Sequence, residues 1–346
     1  MRKLFFFAAL LAVAASCTKN EVIPQNDGNK EITYLTAPLT KASPFSKSNK
    51  FYSYAYLLQR GNQWATASGN SVPFFSGAEI SYQTSVWKAD QSYYWPKDEG
   101  SSLTFFAWTN GTGSLDSDIA ACSNDAGVQF PDYNITSTGN KNKDMMVAKI
   151  AADQKANTDP GIYDTSLEGV PTLFYHVLSS LDIRAQRAEN YANTTFNIVS
   201  IKFNDVSVEG SYEQGIDAAK LPTAGSWSEA DPAVTADLDV YTPAAATQVD
   251  GLATATPEAT FTSLTPDGYS VFLPHTLTDS ETVTIVYEIN NGLSTETVTV
   301  TKSLKEIFGS WDAGKKYTLT ITLSLNEILW DPAVADWAAG TGSWSL

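Results

Sequence analysis

The stretch Trp87-Lys-Ala-Asp-Gln-Ser-Tyr-Tyr-Trp-Pro-Lys-Asp-Glu-Gly-Ser-Ser-Leu-Thr-Phe-Phe-Ala-Trp108 is the most informative part of the chain for its fold class. Aromatic residues, which favour strands, flank a connection containing Gly and Ser, a pattern that predicts a hairpin. Pro96 cannot donate a ladder hydrogen bond, so we expect it to end the first strand. Large aromatic side chains this numerous must mostly be buried, and two sheets packed face to face are the usual means. The stretch therefore predicts a β-sandwich core.

Part of this stretch also carries a family pattern. Tyr94-Trp95-Pro96 followed by Leu103-Thr-Phe-Phe-Ala-Trp108 resembles a signature of the fimbrillin-like (Mfa-like) lipoproteins of Bacteroidetes. Four later segments are similar to segments of the same family, in the same order: residues 143–148, 170–184, 311–323 and 328–337. The resemblance implies an all-β protein with two tandem transthyretin-like β-sandwich domains after a lipoprotein signal peptide. It also implies a structural role as a pilin.

The amino terminus has the pattern of a secretory signal peptide. Arg2 and Lys3 precede an apolar run, residues 4–15, that is too short to span a bilayer, and small residues lead directly into Cys17. This order resembles a bacterial lipobox, in which the cysteine becomes the lipidated first residue. An ordinary signal peptide beside a free cysteine is the alternative. We expect residues 1–16 to be the signal peptide and the polar residues 17–30 a lipidated tether.

Length and composition limit the classes of protein that the chain can belong to. A chain of 346 residues is long for one sandwich, so two domains are expected. Residues 151–169 hold few apolar side chains and several turn formers, which predicts domains of residues 31–169 and 170–346. A formal net charge of −16 without a basic stripe would be repelled by nucleic-acid phosphates. We therefore expect no nucleic-acid partner.

The sequence offers little support for an enzyme or a metal protein. The chain has two histidines and no nucleophile, zinc or phosphate-loop motif, so we expect no catalytic residue and no cofactor. A pair of catalytic carboxylates stays open as an alternative. The loop of residues 110–127 contains Asp116, Asp118 and Asp125, but it lacks the register of a calcium loop, so a solvated loop is favoured. His176 alternates with Phe174 and Leu178, which predicts a hydrogen-bonded packing residue on one face of a strand.

Two terminal segments are candidates for strand exchange, as the resemblance implies. In pilins of this family an arginine-specific protease removes the first strand, and a strand from a neighbouring subunit fills the groove. The candidate displaced strand is Ile32-Thr33-Tyr34-Leu35. Lys41 is the candidate processing position, although the family has arginine there, and an ordinary solvated loop cation is its alternative interpretation. Arg60 is a less favoured substitute.

The candidate donor strand is the carboxyl-terminal segment. Its residues are Ile328, Leu329, Trp330, Val334 and Trp337. Pro332 interrupts this segment, so continuous pairing is expected only on one side of that residue. The partners implied are other pilin subunits, the outer membrane through the lipid anchor, and a host or bacterial surface ligand. The implied location is the cell surface, as outer-membrane lipoprotein and fimbrium.

A second function class is a surface lipoprotein that binds glycan without polymerising. Nine tryptophans permit this interpretation, although most should be core residues. An exposed aromatic platform would favour glycan binding, and a detachable first strand would favour the pilin.

The clearest strand in the chain runs from Tyr317 to Leu325. Its odd-numbered residues are apolar and its even-numbered residues are Thr or Ser, so we expect the odd positions to be buried and the even positions more exposed. Alternating residues 283–289, the dipeptide Asn291-Gly292 and residues 295–301 predict a hairpin before it.

Overall fold

The structure is a computed structural model that describes residues 30–36, 46–98, 100–116, 119–156, 169–255, 258–264, 268–325 and 328–337. Strands make up 52% of it and helices 6%, which confirms the all-β class. Among the described residues, no helix is long and apolar enough to cross a membrane.

The described chain contains twenty-five strands and two short α-helices. The first strands are β1 Tyr34–Leu35, β2 Phe51–Leu58, β3 Val72–Gln83, β4 Val86–Ala89, β5 Ser102–Thr109, β6 Ala121–Ser123, β7 Gly127–Asn134, β8 Met146–Ala148, β9 Ala151–Gln154, β10 Val170–Pro171, β11 Phe174–His176, β12 Ser179–Arg187 and β13 Thr195–Ser207. The remaining strands are β14 Glu209–Glu213, β15 Ser226–Glu229, β16 Thr235–Tyr241, β17 Thr247–Gln248, β18 Thr262–Ser263, β19 Val271–Phe272, β20 His275–Thr276, β21 Thr282–Asn290, β22 Thr295–Ser303, β23 Ser310–Trp311, β24 Lys315–Leu323 and β25 Ile328–Asp336. The helices are α1 Trp64–Ala67 and α2 Leu304–Phe308, and two 3-10 turns cover Ser68–Asn70 and Pro222–Ala224.

A nine-stranded sheet organises the amino-terminal half. Its order is β10-β1-β4-β3-β2-β5-β8-β11, and β9 also pairs with β5. All eight residues of β5 are buried. Phe106 and Trp108 pack into one hydrophobic cluster and Phe105 into another, because successive side chains of a strand point to opposite faces. The sheet is therefore covered by apolar residues on both faces around β5.

The two aromatic runs of the opening stretch do not form a hairpin with each other, so that expectation is wrong. Trp87 lies in β4 and residues 102–108 in β5, and both β3 and β2 stand between these strands in the sheet. Tyr94 forms only an isolated antiparallel bridge, and its partner is Glu31. The reason is that β4 already pairs with β3 through a tight turn. The predicted aromatic burial is nevertheless confirmed for Trp87, Trp95, Phe105, Phe106 and Trp108.

Strand pairing crosses the expected domain boundary between residues 169 and 170. β10 and β11 belong to the nine-stranded sheet, and β14 and β15 form a four-stranded sheet with β7 and β6, in the order β15-β14-β7-β6. One hydrophobic cluster also contains Trp108 and Phe130 from the first half together with Phe203 and Leu319 from the second. The two halves thus share sheet and core, and the division into two domains stays a prediction.

Two five-stranded sheets form the carboxyl-terminal half. One has the order β18-β12-β24-β25 with β19 beside β12, and the other has the order β16-β13-β21-β22 with β17 beside β13. β21 and β22 form the predicted hairpin, in continuous register from Thr282 opposite Ser303 to Asn290 opposite Thr295. β20 and β23 form a separate two-stranded sheet.

The alternation predicted for residues 317–325 is confirmed for the odd-numbered residues 317–323. It is wrong for Leu325 and for two of the even-numbered residues. Tyr317, Leu319, Ile321 and Leu323 are buried in the large core, but Leu325 lies beyond the strand and is 51% exposed. Thr320 and Thr322 are buried rather than exposed. The physical reason is that long side chains of β12 cover them. Arg184 Nε donates to Thr320 Oγ1 at 2.9 Å, and Gln186 Nε2 donates to Thr322 Oγ1 at 2.8 Å.

A buried ion pair closes the loop between β20 and β21. His275 Nε2 lies 2.7 Å from Glu281 Oε1, and both side chains are 3% exposed. Burial alone would lower the pKa of His275, but the hydrogen bond to Glu281 and its charge outweigh burial and raise that pKa above 6.5. Burial also opposes ionisation of Glu281, yet hydrogen bonds from His275 and Thr278 bring its pKa below 4.5.

The two shifts together define a pH window. The raised pKa of His275 contributes stability below the pKa of an unfolded histidine, about 6.5, and this contribution is lost as pH rises through the folded pKa. The lowered pKa of Glu281 contributes stability above the pKa of an unfolded glutamate, about 4.5, and this is lost as pH falls through the folded pKa. The pair therefore stabilises the fold most between about pH 4.5 and about pH 6.5.

We predict that Glu281→Gln destabilises the protein by about 3 kcal/mol near pH 6, because it leaves a buried histidine without its counter-charge. The variant should also lack the decline in stability that the raised pKa of His275 predicts for the wild type on going from about pH 6 to about pH 8.5. Urea unfolding at both pH values measures the difference. Asp279→Asn is the matched control, since Asp279 is exposed and pairs with Lys305 at 3.0 Å. An unchanged pH dependence in Glu281→Gln would contradict the assignment.

Candidate functional site: the first and last strands

The first described segment is inserted between two other strands of the nine-stranded sheet. β1 pairs antiparallel with β4, where Tyr34 is opposite Trp87, and parallel with β10, where Tyr34 is opposite Val170. Backbone hydrogen bonds continue beyond β1: Ile32 N–H donates to the Tyr93 carbonyl oxygen at 2.8 Å. Residues 30–34 thus replace the hairpin partner that the aromatic segment 93–95 lacks.

The inward side chains of this segment are part of the core. Ile32 is 3% and Tyr34 is 4% exposed. The Tyr34 ring packs edge-on against Phe51 and Phe105, with centroids 5.4 and 6.0 Å away. Its hydroxyl donates to Ser53 Oγ at 3.0 Å, and burial raises the pKa of that hydroxyl. Thr33 and Leu35 alternate with these residues and are half-buried.

A glycine makes room for β1. Gly169 has a φ of 145°. A Cβ atom at this position would lie 2.9 Å from the backbone carbonyl carbon of Tyr34. Because both the conformation and the contact exclude a larger residue, Gly169 allows β10 to run directly alongside β1.

The last described strand lies at the edge of its sheet. β25 pairs antiparallel with β24 from Ile328 opposite Leu323 to Asp336 opposite Lys315. Within the described parts of the chain, no other strand pairs with β25. Its apolar side chains are poorly covered. Leu329 is 50% and Val334 is 59% exposed, and Trp330 is half-buried.

The expectation about Pro332 concerns a donated strand and stays a prediction, but within the chain the pairing of β25 passes through this residue. The register of β25 continues without a shift on both sides of this residue, with Pro332 opposite Leu319. An edge strand tolerates proline because the missing N–H can be on the side that has no partner strand. Pro332 therefore does not interrupt the pairing with β24.

The residue that follows β25, Trp337, contacts the nine-stranded sheet. The Trp337 ring stacks on the His176 ring, with centroids 3.9 Å apart and planes at 6°, and Trp337 N–H donates to the Gly314 carbonyl oxygen at 2.7 Å. His176 Nδ1 lies 2.7 Å from Asp144 Oδ1. His176 is 3% exposed, so the prediction of a hydrogen-bonded packing residue is confirmed.

The grouping of His176 with its neighbours on one strand face is wrong. β11 ends at His176 and β12 begins at Ser179, so Leu178 is not part of the same strand. Phe174 packs in the smaller hydrophobic cluster and Leu178 in the larger one. The chain passes from one core to the other over these residues.

Several predicted positions lie outside the described residues or away from the two strands. Cys17, Lys41 and Asp118 are in parts of the chain that the structure does not describe. Arg60 lies in an exposed turn, with its Nε 3.8 Å from Asp98 Oδ1. In the described ranges, no group of acidic, histidine or cysteine side chains could hold a metal ion.

The glycan-binding alternative gains no support from the described surface. Every tryptophan and tyrosine in the described ranges is buried or half-buried. Phe261 is 39% exposed, and the guanidinium of Arg184 lies over its ring at 3.7 Å. The described residues therefore do not form an exposed aromatic platform.

Comparison with known protein families identifies one family that matches most of the chain. A family model described as fimbrillin-like matches residues 40–337. The chain belongs to the fimbrillin-like family. The match begins after the candidate first strand and ends at Trp337. The resemblance inferred from the sequence segments is thus confirmed.

Solved structures share the fold of this fimbrillin-like chain. A fimbrial protein from Bacteroides vulgatus has a TM-score of 0.61 at 20% identity, covering 89% of this chain and 100% of its own. A candidate cell adhesion protein from Bacteroides uniformis has a TM-score of 0.52 at 16% identity, covering 91% and 100%. A search of curated proteins found no significant match.

Sequence reasoning missed the contacts that hold both segments. Asp144, Gly169 and the backbone of Tyr93 were not identified, because each lies far along the chain from its partner. Tyr93 directly precedes the signature Tyr94-Trp95-Pro96. The signature, however, does not indicate which segment of the chain pairs with Tyr93.

We predict that Trp337→Ala loosens the end of β25 in this fimbrillin-like protein. Loss of the stacking contact should speed amide hydrogen exchange in residues 333–336 by roughly 2- to 10-fold. Leu329→Ala is the control, because that side chain is half exposed and lies near the opposite end of β25, paired with Thr322. Unchanged exchange in Trp337→Ala would show that the ring contact does not hold the strand.

Proposed function

We propose that this protein is a structural subunit of cell-surface fimbriae, exported as a lipid-anchored precursor and assembled by protease-triggered strand exchange. The observation that carries the proposal is the poor burial of β25. Within the described parts of the chain, its nine residues of largely apolar sequence pair with β24 alone and leave Leu329 and Val334 half exposed or more. A strand with this composition gains further burial in another groove.

The first segment provides such a groove if it is removed. Ile32 and Tyr34 fill two apolar positions separated by one residue, and loss of the segment would free the backbone edges of β4 and β10. β25 contains the same order of side chains, because Ile328 and Trp330 are also separated by one residue. An isoleucine followed two positions later by a large aromatic would place apolar groups in both vacated positions.

The free energy of apolar burial favours an exchange of strands between copies. Full burial of a large apolar side chain is worth about 1.5–3 kcal/mol, so covering the exposed half of Val334, which shares a strand face with Ile328 and Trp330, gains on the order of 1 kcal/mol. The nine ladder residues of β25 would be retained by pairing with a new edge. Within one chain β1 and β25 are in different sheets, so the exchange would join one subunit to the next.

The remaining elements of the proposal concern anchoring and partners. Cys17 would carry the lipid that anchors the precursor in the outer membrane, and the polymer would be located at the cell surface. Other pilin subunits, identical or different, would be the main partners, and a host or bacterial surface ligand would be bound in adhesion. The proposed role is structural, with no catalytic step and no cofactor.

We predict that cleavage at Lys41 of the mature chain produces ladders of oligomers on native gels. Cleavage would release residues 31–36 from the edge of β4, and a second copy would supply its residues 328–337. The same digestion of a chain truncated after Asn326 should give monomers. Lys41→Gln is the cleavage control, because it removes the cut and leaves both strands in place. Monomers in the wild type after verified loss of the first strand would refute strand exchange.

We predict that Cys17→Ala leaves the precursor uncleaved at this position or releases the protein in soluble form, because no acyl chain can then be attached. Membrane fractionation with mass spectrometry of the amino terminus distinguishes these outcomes. Ser16→Ala is the matched control and should be processed normally. A Cys17→Ala protein that stays in the membrane with an unchanged mature terminus would rule out lipidation at this residue.

A further inference from the structure

β22 is an edge strand without the usual obstacles to pairing. It has nine residues, Thr-Glu-Thr-Val-Thr-Val-Thr-Lys-Ser, with neither proline nor glycine, and its register with β21 has no bulge. In the described ranges its other edge pairs with no strand. Proteins commonly block such edges with proline, a bulge or an inward charge, because an unpaired edge attracts other strands. β25, the corresponding strand of the neighbouring sheet, contains Pro332.

The inward face of β22 is incompletely covered. Val298 and Val300 are opposite Tyr287 and Ile285 of β21 and point toward the core, yet each is only half-buried. Glu296 and Lys302 share this face, since residues two apart in a strand point the same way. A further strand at this edge would complete the burial of both valines.

The two charges restrict which strand can be added. Glu296 and Lys302 are the only charged residues of β22, and each is three residues from Thr299. An incoming strand without matching charges would leave them unpaired beside an apolar face, which is unfavourable. Lys302 Nζ is 3.7 Å from Glu306 Oε2, but that pair is partly solvent-exposed and holds the lysine weakly.

A second copy of β22 has the matching pattern. If two β22 strands pair antiparallel with Thr299 opposite Thr299, Glu296 of each copy faces Lys302 of the other. Val298 then faces Val300, so the half-buried valines cover one another. A shift by two residues places Glu296 opposite Val300 and loses both charge pairs. Parallel pairing in register places Glu296 beside Glu296, and like charges directly opposite are destabilising.

We propose that β22 is a self-association edge, at which two copies of the chain join antiparallel about a two-fold axis through Thr299. The five-stranded sheets of the two copies then become one continuous sheet. This contact uses neither β1 nor β25, and it needs no cleavage. Within a fimbria it would connect subunits side by side, in addition to any end-to-end strand exchange.

A cysteine scan tests the register. Residues directly opposite each other in antiparallel strands have Cα atoms about 4.5–5.5 Å apart. That separation is within the disulfide range of about 4.4–6.8 Å. Thr299→Cys in the uncleaved mature chain should therefore give a disulfide-linked dimer under mild oxidation. Thr295→Cys is the matched control, because it is on the same exposed face but its counterpart in the other copy is roughly 26 Å away.

The background from native cysteines should be low. Burial raises the pKa of the Cys122 thiol, so little reactive thiolate forms there, and both variants contain it. Equal dimer yields from Thr299→Cys and Thr295→Cys would overturn the proposed pairing, as would the absence of dimer from both.

A charge exchange tests the partner. Glu296→Lys alone and Lys302→Glu alone should each weaken dimerisation of the uncleaved chain by roughly tenfold, because each places like charges opposite each other. The double variant Glu296→Lys with Lys302→Glu should restore it. Sedimentation at about 0.15 M salt measures the dissociation constants and limits repulsion between acidic copies. A monomeric wild type, or a double variant no better than the singles, would contradict self-association through β22.

Discussion

Backbone groups at the edge of a β-sheet need a partner, and this requirement explains how the ends of the chain are placed. The amino-terminal segment satisfies two edges at once, because β1 pairs with both β4 and β10. The carboxyl-terminal strand satisfies one edge, that of β24, and creates another. β22 likewise leaves one edge without a partner strand in the described ranges. Two nine-residue strands, β22 and β25, therefore keep a row of backbone groups that another strand could pair with.

The first segment is small but it connects several parts of the fold. Its hydrogen bonds reach residues 93–95, and its Tyr34 ring touches Phe51 and Phe105. The aromatic signature consequently has two roles. Its second half forms the fully buried strand β5, while its first half forms an irregular connection that receives the amino-terminal segment. Removing that segment would uncover side chains from both.

The carboxyl-terminal strand differs from the first segment in how it is held. β1 is retained by buried side chains, whereas β25 is retained mainly by its ladder with β24, by partly buried side chains such as Trp330, and by the contacts of Trp337 with His176 and Gly314. Because the side chains of β25 are poorly buried, detaching it from β24 costs little apolar burial. The backbone hydrogen bonds lost with β24 would be replaced if β25 paired with another strand edge. The two terminal segments are therefore held by different kinds of interaction.

The sequence alone determined the all-β class, the family, the burial of the signature aromatics, the inward face of residues 317–323 and the hairpin of β21 and β22. These follow from local alternation, turn residues and ordered segments, which act over a few positions. Tertiary structure decided the rest. The strand order that separates β4 from β5, the shared sheet of β7 and β14, the continuous pairing through Pro332 and the stacking of Trp337 on His176 all join residues far apart in the chain. Local patterns determine which face of a strand is apolar, but the partner of that face depends on how the whole chain closes around its core.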